Sequence, residues 1–426
     1  MTAISPTRSA PPQSSAHCRF CGAGLTRTLV DLGDQPLANS FLASEDLQKP
    51  EPRYPLRVKV CDQCFLAQAD ASVPPGEIFG RYVYYSSFSE SWLRHARAYC
   101  DLVTQRFGLG PHSKVVEVAS NDGYLLKNFV AAGIPCLGIE PAENIAADAR
   151  AAGVPTVTDF LTEQSGRRIA QEHGAADLVC GANVLAHVPD IADFSRGLAA
   201  LMKPDGVLTI EFPHLQRLIA ECQFDTIYHE HFSYLSLLAI ERIFAACGLR
   251  LFDCETLPTH GGSLRIYAQR TDAAVQRPEA PGLLAVRAGE AEAGLDRPAY
   301  YDDFQPRVDA MIASLQRFLD EARAERKIVV AYGAAAKGNT LLNACKIAPG
   351  AIAYVVDRNI HKQGLYLPGT HLEVRAPERV AETRPDYLLI LPWNLKDEIV
   401  AQMHFISDWG GRFVTPGPFT QVFSAP

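Results

Sequence analysis

No apolar run in this chain of 426 residues approaches the roughly 18 needed to span a bilayer, so no membrane span is expected. Positive charge is also in short supply. Lys and Arg number 40 against 48 Asp and Glu, a formal net charge of -8. Nucleic-acid binding normally needs a basic footprint, and no dense basic run is present between Cys18 and Cys64. The first residues, rich in Ser, Pro and Ala, lack the apolar stretch of a signal peptide, and 1–15 reads as a disordered tail. Tandem repeats are absent. Eleven cysteines are too few for a disulfide scaffold of this length and fit a reducing, cytoplasmic setting. Two or three domains are expected, and 47% hydrophobic residues can fill their cores.

Four of the cysteines form two matched hooks, Cys18-Arg19-Phe20-Cys21 and Cys61-Asp62-Gln63-Cys64. A C-x₂-C pair points two thiolates at one ion, and two pairs complete the tetrahedral set that zinc prefers. Buried free cysteines or a redox pair are the plainer accounts, but two hooks are harder to obtain by chance than one. Zinc is expected to be structural, holding a segment too short to bury a good core alone.

Beyond residue 89 the pattern changes. Ser89 to Phe107 carries Trp92, Leu93, Ala96, Tyr99, Leu102 and Val103 at helical spacing. A βα alternation follows, with strands expected at 115–119, 135–140, 177–181 and 206–211, which implies a parallel sheet. Residues 271–298, rich in Ala, Gly, Glu and Pro, read as a helical linker. A second βα series starts near Lys327 and includes Gly333-Ala334-Ala335-Ala336-Lys337-Gly338-Asn339-Thr340. Its glycine spacing is wrong for a nucleotide-triphosphate loop, although a helix amino terminus there can meet a phosphate.

Ligands bind such sheets at the carboxyl ends of the strands. The first strand ends in Glu117-Val118-Ala119-Ser120-Asn121-Asp122-Gly123-Tyr124-Leu125. The second ends in Glu140-Pro141, an acid suited to both hydroxyls of a ribose. Asp159-Phe160 can meet an adenine edge and face, and Asn183-Val184 follows the third core strand. Four such loops in order resemble a class I S-adenosylmethionine methyltransferase. The glycine-rich loop keeps only Gly123, with Ala119 and Asn121 at its other two positions, which lowers the case for a dinucleotide. Next comes Tyr228-His229-Glu230-His231-Phe232-Ser233-Tyr234. A metal site or a polar surface turn would account for it. A proton-transfer site is the sharper reading, with His231 titrating near neutrality and Glu230 and Tyr228 orienting it. His260, Gly262 and Arg265 in a glycine-rich stretch are suited to lining a ligand, and Arg81 to Ser87 is a tyrosine and hydroxyl cluster.

Together these motifs resemble the sugar C-methyltransferases that act at C-3 of deoxysugar nucleotides, enzymes of the tetronitrose, mycarose and noviose pathways. The resemblance covers almost the whole chain. It rests on the cysteine hooks with Pro36 to Phe41, Tyr84-Tyr85-Ser86-Ser87, the 119–126 loop, Asn183 to His187, Glu230 to Ser236, His260 to Arg265 and Gly333 to Asn343. It implies a class I methyltransferase Rossmann-like domain (76–270) between a zinc-binding module (16–75) and a carboxyl-terminal Rossmann-like domain (299–426). It implies S-adenosylmethionine as methyl donor. It also implies a nucleotide-diphosphate 4-keto deoxysugar, dTDP-linked, as partner, and a monomer without nucleic-acid or membrane partners. His231 is the implied base, with Tyr82, His187, Tyr228 and Glu230 at other active-site positions. Glu117, Ala119, Asn121, Gly123, Tyr124, Leu125, Glu140, Pro141, Asp159, Phe160, Asn183 and Val184 would hold the cofactor. Tyr85, Ser86, His260, Gly262, Arg265, Lys337 and Asn339 would meet the sugar nucleotide. An O-methyltransferase of natural products and a catalytically silent binding protein are the alternatives.

Overall fold

Val115–Val118 is buried at every position, as a strand covered on both faces must be. It lies at the centre of a seven-stranded sheet in a computed structural model that describes residues 16–69, 73 and 85–425. The expected tail at 1–15 and Tyr82 lie outside the described residues. On one side of the central strand follow Cys136–Ile139 and Thr156–Val157. On the other follow Ala176–Ala182, Met202–Pro213, Ser263–Arg270 and Leu249–Leu257. In chain order the strands run 3-2-1-4-5-7-6, and Ser263–Arg270 is antiparallel to both its neighbours. This is the class I methyltransferase arrangement. Helices cover both faces. Ile191–Leu201 buries Ile191, Phe194, Leu198 and Leu201 along one stripe and is capped by Asp190, whose side chain accepts from the Asp193 N–H. Glu163–His173 crosses it so closely that a Cβ on Gly166 would lie 2.7 Å from the Gly197 carbonyl oxygen.

Among the described residues the zinc-binding module contributes three antiparallel strands, Arg27–Gln35, Tyr54–Val60 and Ala67–Ala69. Its fourth strand, Ser233–Tyr234, comes from the middle of the chain and pairs with Gln68 and Ala67. The carboxyl-terminal sheet has six strands. In chain order they run 3-2-1-4-5-6, with Val329–Tyr332 and Tyr387–Ile390 central and only Gln421–Phe423 antiparallel. One apolar cluster draws on all three regions, including Leu29 and Val58, Leu218 and Phe224, and Phe304, Leu341 and Leu389.

The stretch read as a linker, 271–298, contains helix Pro281–Ala293, which packs on Leu249–Leu257. Its Glu290 is buried and caps a different helix, Leu237–Ala246. The carboxylate accepts from the Leu237 N–H at 2.6 Å, the Leu238 N–H at 2.8 Å and His214 Nε2 at 2.6 Å. Among the described residues no helix is long and apolar enough to cross a membrane.

Candidate active site

The two cysteine hooks converge. The sulfur atoms of Cys18, Cys21, Cys61 and Cys64 all lie within 4.8 Å of one another. Each hook faces the other, with Cys18 to Cys64 and Cys21 to Cys61 both at 3.5 Å. The contact with Cys64 holds the Cys18 thiol below the ordinary range. Gln68 Nε2 donates to Cys18 Sγ at 3.2 Å, and the Gln63 N–H to Cys61 Sγ at 3.4 Å. Four thiolates closing a tetrahedron, with amides on the sulfurs, fit a structural zinc ion.

At the carboxyl ends of the central strands lies a cavity of about 640 Å³, within the usual range for small-molecule sites. Its wall is strained. Ala119, Asn121, Asn183 and His260 line it with φ between 49° and 56°, a left-handed conformation costly for residues with a Cβ. Ala119 and Asn121 thus hold the backbone shape that glycine would supply. Gly123 takes φ 75°, and a Cβ there would sit 2.8 Å from Val154. Glu140 closes the loop. Its carboxylate accepts from the Asn121 N–H and the Ala142 N–H, each at 2.9 Å. Burial pushes the Glu140 carboxyl up, and the two amides pull it back. Pro141, Asp159, Phe160 and Val184 continue the wall. Phe160 is 55% exposed, and Asp159 is paired with Arg168. Ser86 lines the cavity and its N–H donates to Asn121 Oδ1 at 2.9 Å. Tyr85 OH donates to Asp148 at 3.0 Å, and Tyr124 stacks near Trp92 on the cavity wall.

Across the cavity sits the histidine cluster. His231 Nδ1 lies 2.9 Å from the Thr226 carbonyl oxygen. A carbonyl only accepts, so Nδ1 carries the proton and Nε2 keeps the lone pair. The Tyr228 ring lies 4.0 Å from the His231 ring, and the His187 ring 4.7 Å away at a steep angle. The expectation that His231 titrates near neutrality fails. Burial first, then neighbouring His187, His260 and Lys337, hold it well below the usual imidazole range. Burial likewise lowers His187 and His260 to about 4. His260 Nε2 meets Asn183 Nδ2 at 2.9 Å. Glu230 moves the other way, pushed up to about 7 by burial, with Asn39 Nδ2 donating to it and Lys362 opposing the shift.

The carboxyl-terminal domain closes the cavity with Ala335, Ala336, Lys337 and Lys362. Lys337 Nζ donates to Asn394 Oδ1 at 2.7 Å and lies 4.9 Å from the Trp393 ring centre. Lys362 Nζ donates to the Ala334 carbonyl oxygen at 2.7 Å. Burial lowers both ammonium groups.

Several candidates lie elsewhere. Arg265 does not line this cavity. It is buried, bonded to Glu211 at 2.8 Å and to Glu255 at 3.2 Å, and lies over the Tyr99 ring. The carboxylates that neutralise it sit on adjacent strands, so the cation is consumed within the sheet. Together with Leu125, it borders a separate space of about 20 Å³, room for a water molecule. Glu117 is fully buried beneath the loop and pushed well up by burial and by Glu140. Gly262 turns its carbonyl to the His214 N–H at 3.0 Å. Asn339 is buried and donates to the Ala38 carbonyl oxygen at 2.6 Å, which fixes the segment carrying Asn39. Conversely, Lys362 was not singled out from the sequence, where it is one cation among Arg358, Asn359, Ile360 and His361. Asn39 carried a signal only as part of the Pro36 to Phe41 motif, and Trp92 only as a core position of a helix.

Three family models match the chain in succession. Residues 18–79 match a candidate zinc-binding domain, 92–253 a methyltransferase domain and 258–418 a C-methyltransferase C-terminal domain. The C-methyltransferase NovU of Streptomyces niveus is 38% identical over 409 residues, covering 96% of this chain and 97% of that protein. An uncharacterised methyltransferase of Mycobacterium leprae is 27% identical over 113 residues, 26% of this chain and 42% of its own. Among solved structures, the PH0226 protein of Pyrococcus horikoshii superposes with a TM-score of 0.38 at 13% identity, covering 46% of this chain and 98% of that one. The magnesium protoporphyrin IX methyltransferase of Synechocystis, solved with bound SAH, gives 0.34 at 17% identity over 42% and 83%.

Proposed function

The chain belongs to the C-methyltransferase family, and on that footing we propose that it methylates C-3 of a nucleotide-linked 4-keto deoxysugar with S-adenosylmethionine. The best single support is His231, a neutral imidazole with Nδ1 tied to Thr226 and Nε2 left as acceptor, in one cavity with Glu140 and two lysines. When bound, S-adenosylmethionine supplies an electrophilic methyl group on sulfur. Glu140 takes the ribose hydroxyls, and Asp159 and Phe160 meet the adenine. Lys337 and Lys362 face the diphosphate, whose charge offsets the burial that now lowers both. The 4-keto group acidifies the neighbouring C-3 proton. His231 Nε2 accepts that proton, and the C–H electron pair moves toward the ketone oxygen. Tyr228 and His187 donate to the enolate oxygen. The enolate carbon would then take the methyl group as its bond to the sulfonium sulfur breaks, the electron pair staying on sulfur and the neutral thioether leaving as S-adenosylhomocysteine. Burial keeps His231 unprotonated at neutral pH, the form a base requires.

The test uses a dTDP-linked 4-keto deoxysugar and S-adenosylmethionine in deuterium oxide. The wild type should form a C-3 methyl product and exchange the C-3 proton. His231→Ala should lose about 10²- to 10⁴-fold in both. A methyl group found on oxygen, with no exchange at C-3, would overturn the reading in favour of an O-methyltransferase. Near-normal exchange with lost methylation would remove His231 as the base and make Tyr228→Phe the next variant.

A further inference from the structure

Arg19 lies inside the first cysteine hook, yet its side chain leaves the metal site for the segment that carries His231. Its backbone is fixed by the sulfur network. The Arg19 N–H donates to Gln68 Oε1 at 3.0 Å, and Gln68 Nε2 donates to Cys18 Sγ at 3.2 Å. The guanidinium then reaches across. Nη1 donates to the Ala69 carbonyl oxygen at 2.9 Å, and Nη2 donates to the Phe232 carbonyl oxygen and to Ser233 Oγ. Phe232 follows His231 directly. Its N–H donates to the Ala186 carbonyl oxygen at 2.7 Å, next to His187, and its carbonyl also accepts the Ala69 N–H at 3.0 Å. One residue therefore joins the His187 loop, His231 and the cysteine hook. An arginine guanidinium keeps its proton in proteins, so the group is a cation at neutral pH. A charged donor on a carbonyl makes a hydrogen bond roughly twice as strong as a neutral one, and the planar fork reaches two carbonyls at once.

We propose that Arg19 is a positioning residue for methyl transfer: it ties the Cys18–Cys21 hook to the Phe232 carbonyl and thereby fixes His231 Nε2 against the substrate. The zinc-binding module is then part of the catalytic geometry, not only a stabilised appendage. The inference rests on His231 as the base. The ring is held by Thr226 on one side, and the peptide that follows it is held by Arg19 on the other. A displacement of about 1 Å at a reacting group can cost about 10²-fold in rate.

The test compares Arg19→Met and Arg19→Lys with the wild type, alone and combined with His231→Ala, on the dTDP-linked 4-keto deoxysugar. Arg19→Met should keep its full zinc content and unchanged S-adenosylmethionine affinity. Its kcat should fall about 10- to 100-fold with KM little changed. Arg19→Lys, which keeps the charge but not the fork, should fall between the two and serves if Arg19→Met does not fold. In the His231→Ala background Arg19→Met should add no further loss, because residues that act through one group are not additive. The nitrogen-15 signals of His231 should shift in Arg19→Met. Unchanged kcat, an equal additional loss in the His231→Ala background, or a loss that appears only with loss of zinc would each overturn the proposal. If His231→Ala keeps full exchange at C-3, the base assignment fails by itself. Unshifted His231 nitrogen signals in Arg19→Met would then overturn the positioning role independently.

Discussion

Glu230 and Glu140 are two buried carboxyls with different neighbours, and their variants should behave differently. The ordinary value for Glu230 is 4.5, and burial raises it to about 7 in the folded chain. Below the lower value both folded and unfolded states hold the proton, and nothing is contributed. Between the two values only the folded state holds it, so stability falls as pH rises, and the loss is complete above the upper value. Glu230→Gln keeps an acceptor for Asn39 and cannot ionise. Its melting temperature should exceed that of the wild type at alkaline pH, and the gap should close as pH falls toward 4.5. Parallel melting curves across that window would refute it. Glu140 already accepts two backbone amides, which prepares it as an acceptor for a ribose. Glu140→Ala should weaken S-adenosylmethionine binding by about 1.5–3 kcal/mol, measured by calorimetry. Unchanged affinity would place the cofactor elsewhere.

Among the elements, helix Leu237–Ala246 depends on a carboxylate from outside itself. Ser236 caps its first turn through the Ala239 N–H, and Glu290 satisfies the Leu237 and Leu238 N–H groups. Glu290 also meets buried His214, so removing it strands three donors in the interior. Leaving a buried donor without its partner costs about 1–3 kcal/mol. Glu290→Ala should therefore lower the melting temperature markedly while leaving the zinc content unchanged. A melting temperature equal to that of the wild type would show that water replaces the carboxylate. The strained loops behave as a second kind of element. Asn183 and His260, both left-handed, hold each other in the cavity wall, so the strain sits beside the space a ligand would fill.

For the whole molecule, two expectations follow from elements shared between domains. The cysteine site should hold one zinc ion per chain by elemental analysis, since the four sulfurs form a single cluster. Chelation should lower the melting temperature, because ligation free energy is folding free energy there. Freshly purified protein without zinc would end this claim. A chain ending at Pro298 should not unfold cooperatively and should bind a hydrophobic dye. Removing the carboxyl-terminal domain bares the partners of Leu29, Val58, Leu218 and Phe224 in the shared cluster. A soluble fragment with a sharp thermal transition would contradict this.

Features with a short period or a fixed spacing are legible along the chain alone. The cysteine hooks, the alternating strands and helices from 115 to 211 and the order of the cavity loops are local patterns, written within a few residues of one another. Element ends differ by a few residues, as where the strand expected at 206–211 runs Met202–Pro213, and the short strands Thr156–Val157 and Ser233–Tyr234 carry too little pattern to be read. The tertiary structure alone decided which distant groups meet. It turned Arg265 from the cavity because Glu211 and Glu255 neutralise it within the sheet. It brought Lys362 and Asn39 to Glu230, and it lowered His231 by enclosing it with His187, His260 and Lys337. Burial and charge depend on neighbours in space, and no spacing along the chain encodes them.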